Sequence, residues 1–73
     1  MINKSEFIKV HGKSPEGIGV YWFEISGTDW MGNDLTETMS GRGSLNEAVK
    51  IAVNDFREWF GDIKKIYEIK LLP

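Results

Sequence analysis

Residues 45–60 carry the most regular hydrophobic pattern in the chain. Leu45, Ala48, Val49, Ala52, Phe56, Trp59 and Phe60 recur at the i, i+3, i+4, i+7 spacing of one side of an α-helix, while Asn46, Glu47, Lys50, Asn54, Arg57 and Glu58 occupy the rest. Ile51 and Val53 flank this stripe and widen it. Ser44, followed three residues later by Glu47, forms a capping box in which each side chain bonds the other's free backbone amide. Gly61 supplies a C-terminal stop.

Elsewhere the pattern has a period of two. Residues 18–25 form the most β-prone window, with Tyr21, Phe23 and Ile25 on one face and Ile18, Val20, Trp22 and Glu24 on the other. Residues 63–72 alternate Tyr67, Ile69 and Leu71 against Ile66, Glu68 and Lys70, and residues 35–40 alternate more weakly. Residues 6–11 are short and rich in β-branched and aromatic side chains, and the turn-forming stretch 12–17 that follows reads as a hairpin loop. A second loop spans residues 27–34 and carries Trp30 and Met31 at its tip.

These elements predict an α+β fold of order β-β-β-α-β, a single domain over residues 1–73 with one helix packed on a mostly antiparallel sheet. One helix covers one face of the sheet, so Trp22, Val20 and Phe7 are expected on the open face. A chain of this size exposes roughly 4,600 Å² when folded. A standard interface takes about 800 Å² from each partner, whereas a ligand pocket of about 300 Å³ or more would hollow out much of so small a core. Size therefore favours a binding module over an enzyme.

Composition removes further classes. The chain has no cysteine, hence no disulfide, thiolate metal site or thiol nucleophile, and a reducing cytoplasmic setting is expected. No apolar run approaches a membrane span, so no membrane association is expected. His11 is the one imidazole, too little for a nucleophile, base and orienting group. The acids around residues 29–34 lack the regular spacing of a calcium loop. No catalytic residue, metal or cofactor is expected.

The net charge of −2 conceals an uneven distribution: residues 1–23 carry +1, residues 24–47 carry −4 and residues 48–73 carry +1. Arg42 is the sole base in the acidic middle, beside the helix entry. Trp30 and Met31, flanked by Asp29, Asp34 and Glu37, suit a protein contact in which the apolar pair buries and the acids steer toward a basic partner. The competing reading folds Trp30 back over the open sheet face. Phe7, Lys9 and Trp22 make an alternative sheet-face site for nucleic acid, against which the acidic middle weighs. A third reading is a homodimer formed through edge strands or open faces, so monomer and homodimer both stand.

Ser44, Leu45, Glu47, Ala48 and Ala52 resemble the helix entry of HicB-type antitoxin domains, whose β-β-β-α-β unit enters its helix through a Gly, a hydroxyl residue, Leu, and an acidic residue followed by Ala. That family's Pro-Asp-Leu-Pro-Gly turn is replaced here by Ser26-Gly27-Thr28-Asp29-Trp30. The helix entry Leu45-Asn46-Glu47-Ala48 and the closing strand 66–73 are also similar in pattern to the small bacteriophage inhibitors of host RNA polymerase. Both families bind and block another protein without catalysis. The resemblance implies an inhibitor or adaptor of phage or mobile-element type, directed at a bacterial host enzyme or defence complex.

Overall fold

In the computed structural model, which describes residues 2–73, the chain runs β1 (Ile2–Asn3), α1 (Ser5–His11), β2 (Gly19–Asp29), β3 (Asp34–Gly43), α2 (Leu45–Trp59) and β4 (Ile63–Leu71). The strands form one sheet in the order β1-β4-β2-β3. β2 is antiparallel to both of its neighbours, and only the short β1 joins in parallel, to β4. The fold is α+β with a mostly antiparallel sheet and one long helix across it, as the patterning predicts. No helix is long and apolar enough to cross a membrane.

The first predicted strand is instead a helix. Asn3 accepts bonds from the Ser5 amide at 3.1 Å and the Ser5 hydroxyl at 2.7 Å, which turns the chain into α1. Gly12, at φ 74°, ends α1 in the left-handed conformation and donates its amide to Ile8 O. Short apolar runs suit either geometry, so these end signals and the docking of Phe7 decide. Residues 12–18 consequently link a helix to β2 and do not form a hairpin. The Tyr21 hydroxyl ties that link down by donating to Glu16 O at 2.9 Å and Gly17 O at 3.0 Å.

Phe23 and Ile25 of β2, Leu71 of β4, and Ala48, Ala52 and Phe56 of α2 are completely buried and form the core. Each large side chain among them stabilises the fold by about 1.5–3 kcal/mol. Both predicted cap partners meet: the Glu47 amide donates to Ser44 Oγ at 3.3 Å and the Ser44 amide to Glu47 Oε1 at 3.0 Å. The helix approaches β3 closely because Gly41 has no side chain. A Cβ there would lie 2.7 Å from Ala48 Cα.

Two stripe positions differ from expectation. Trp59 is 70 % exposed beside Thr38 and Met39 at the β3 margin, where the sheet ends, and Ile51 is also exposed. Phe60 takes the inner place, edge-on to Phe56 with ring centroids 5.1 Å apart. The helix stops at Trp59 with Phe60 as its cap, and Gly61 does not adopt a positive φ.

Gly41→Ala is expected to lower stability by about 1–3 kcal/mol, since the clash is with backbone and the helix must shift. Gly19→Ala, where a Cβ meets nothing within 4 Å, is the control and should stay within about 0.5 kcal/mol. Urea or thermal unfolding of the two variants checks this contrast.

Candidate protein-binding site

The β2–β3 hairpin is longer than the sequence pattern implies. β2 continues through Asp29 and β3 begins at Asp34, so the predicted loop of residues 27–34 shrinks to a turn of residues 30–33. The Gly32 amide donates to Asp29 O at 3.1 Å and the Asp29 amide to Asn33 O at 3.0 Å, with Gly32 at φ 84°. The turn closes on the Asp29–Asn33 pair, with residues 30–32 between them and its left-handed position filled by glycine.

Asp29 fastens the turn from within. Its Oδ1 accepts from the Met31 and Asn33 amides, both at 2.9 Å, and its Oδ2 accepts from the Asn33 side-chain amide at 3.2 Å. The residue is only 7 % exposed. The Asn33 amide, followed by lesser bonds from the same turn, holds this carboxyl below the usual carboxylate range. Asp29 is therefore a turn lock, which corrects its assignment as a steering acid.

With the turn fastened beneath them, Trp30 and Met31 stand out at 71 % and 83 % exposure. Trp30 does not close the open face of the sheet. Lys64 Nζ lies 5.5 Å from its ring centroid in a cation–π arrangement. Asp34 is exposed beside the tip, but Glu37 shares the helix-side face of β3 with Leu35 and Met39 and faces the Trp59 margin. Of the five predicted contact residues, Trp30, Met31 and Asp34 remain together at the surface.

The alternative site divides between two elements. Trp22 is 52 % exposed on the sheet face away from α2, next to Val20. Phe7 and Lys9 lie on α1, where Phe7 is half-buried and stacks on His11 with centroids 4.3 Å apart. They belong to a helix and not to a strand of the sheet that carries Trp22. Across that face Lys70 is held between Glu24 at 3.8 Å and Glu6 at 3.9 Å. Among the described residues no group of three His, Cys, Asp or Glu side chains is placed to hold a metal ion.

Three features escaped the sequence reading. The Asp29-to-Gly32 spacing is a recognisable turn signature that the general loop-like composition obscures. The Lys64 contact and the exposure of Trp59 depend on strand pairing and have no local signal. Comparison with protein-family models, with curated proteins and with solved structures finds no match to this chain.

The lowered Asp29 carboxyl has a directional consequence. Its stabilisation is fully present above the unfolded value near pH 4 and is lost as pH falls through the lower folded value. Glu47 behaves in the same direction, being lowered chiefly by the Ser44 amide. Asp29→Asn should lower the melting temperature at neutral pH and flatten its fall between about pH 5 and pH 2. Unchanged acid dependence in thermal melts would remove Asp29 from this role. Trp22, Trp30 and Trp59 are all exposed, so acrylamide should quench most of the tryptophan emission of the native protein. Blue-shifted, protected emission would contradict the exposed tip.

Proposed function

We propose that this chain is a small non-enzymatic protein-binding module, an inhibitor or adaptor that docks on a bacterial host enzyme or defence complex through the tip of the β2–β3 hairpin. The observation that carries the reading is the exposure of Trp30 and Met31 on a turn whose backbone Asp29 already holds. An apolar pair presented on a preformed turn loses little conformational freedom on binding, and aromatic anchors supply a large share of interface energy. Asp34 beside the tip favours a partner with a basic rim. The resemblance of the helix entry to phage inhibitors and HicB-type domains points to the same class of action.

Trp22 and Val20, with Arg42 paired opposite Val20, support a second reading as a single-stranded nucleic-acid surface. Salt separates the two. Oligonucleotide binding through phosphates weakens steeply as salt rises, while an apolar tip contact does not.

Trp30→Ala should abolish capture of the partner by the immobilised protein while leaving the melting temperature within a few degrees, because the side chain covers no core residue. The check is pull-down from bacterial lysate with wild type and variant in parallel, followed by an affinity measurement on the captured protein. Equal retention by both proteins rejects the tip as the contact. Trp22→Ala should leave capture unchanged.

A further inference from the structure

β3 is the outermost strand on one side of the sheet. Its inner side pairs with β2 along ten positions, from Thr28–Asp34 to Gly19–Gly43, and no described strand lies on its outer side. The hairpin determines which backbone groups point outward. Asp29 and Asn33 are a hydrogen-bonded pair, and bonded and non-bonded pairs alternate along an antiparallel ladder. Leu35, Glu37, Met39, Gly41 and Gly43 therefore direct their amides and carbonyls at β2, while Asp34, Thr36, Thr38, Ser40 and Arg42 direct theirs outward. The Thr38 amide agrees with this parity: it bonds the carboxylate of its own neighbour Glu37 at 3.1 Å and takes no part in the β2 ladder.

The five outward-bonding residues also share the sheet face away from α2. Along the edge they run from an acid, through three hydroxyl residues, to a base. Asp34 and Arg42 are both exposed, and neither belongs to an ion pair among the described residues. Such an edge is its own complement. An antiparallel second copy related by a two-fold axis at Thr38 sets Thr38 opposite Thr38, Thr36 opposite Ser40 and Asp34 opposite Arg42, the last two pairings occurring twice. Every such pair joins outward-facing backbone groups, so the ladder bonds form in the same register that matches the charges. The hydroxyl pairs repeat a contact already present within the sheet, Ser26 to Thr36 at 3.0 Å.

Other registers do not satisfy both conditions. A shift of one residue sets outward-facing groups against inward-facing ones and breaks the ladder. A shift of two preserves the backbone bonds but removes both Asp34–Arg42 pairs. Exposed Trp59 stands beside Thr38 and Met39 at this margin. Glu37, Asp55 and Glu58 gather on the helix side of the same margin and oppose a close approach of two copies there.

We infer that β3 pairs with β3 of a second copy about a two-fold axis at Thr38, forming a weak, reversible dimer with one continuous eight-stranded sheet. On pairing, the Thr38 amide passes from the Glu37 carboxylate to the carbonyl of the partner's Thr38. The two Trp30 tips then lie at opposite ends of the assembly, and Asp34 is the one residue named for both the tip contact and the edge contact.

Sedimentation equilibrium of the full chain from about 10 µM to about 1 mM brackets an association of this strength. The expected result is a monomer–dimer equilibrium. Asp34→Arg or Arg42→Asp alone should weaken it roughly tenfold, since each turns two attractions into two repulsions. The double charge swap should restore it. Thr38→Pro should abolish dimerisation while keeping the native circular dichroism, because that amide donates no bond to β2. A monomer at the highest concentration overturns the inference. So does a dimer indifferent to both single reversals, or a double swap that fails to recover. Trp30→Ala should dimerise like wild type, so failure of the tip reading remains distinguishable from failure of this one.

Discussion

The close approach of α2 to β3 is the contact on which the rest of the molecule depends. A chain of this size has one small core, and Phe23, Ile25, Phe56 and Leu71 meet there only because Gly41 and Ala48 let the helix backbone settle against the strand. Placing the helix there has a second effect. It leans toward the β3 margin, so Trp59 overhangs the edge, while the far face, with Trp22 and Val20, receives no cover from it.

Local bonding and core packing divide the work in different parts of the fold. The hairpin tip lies beyond the core, and its shape is held by the Asp29 carboxylate, the Asn33 amides and the left-handed Gly32. Because order there is maintained by hydrogen bonds, Trp30 and Met31 remain free of packing duties. At the opposite end, α1 is held by the Asn3 and Gly12 end signals and by the Glu6–Lys70 pair. Exposed ion pairs of that kind contribute little singly, so the docking of Phe7 is the larger part of its anchorage.

The acidic middle of the chain resolves into separate tasks once the sheet is formed. Asp29 and Glu47 bind backbone amides and serve a turn and a helix cap, and Glu24 faces Lys70 across the ladder. Asp34 stands exposed at the strand end and Arg42 at the other end of the same edge, neither in an ion pair among the described residues. A charge total therefore says little about partners here. What matters is which carboxylates the backbone has already taken and which remain at an edge.

The helical period of residues 45–60, the capping box and the alternation of β2 and β4 determined by themselves that this chain would form an α+β fold with one long helix on a largely antiparallel sheet. Those signals are local, because a hydrophobic period specifies which faces must be buried. The nature of residues 5–11 was not set by hydrophobic period, since Phe7, Ile8 and Val10 suit either geometry and the choice falls to end signals and docking. Asp29 and Trp59 show the same division at the candidate sites. As residue types both suited the roles first assigned to them, a steering acid and a core aromatic. The acid folds under its turn through local bonds to Met31 and Asn33, whereas only the tertiary structure decided that the aromatic stands at the sheet margin, because its burial depends on which strand lies beside the helix.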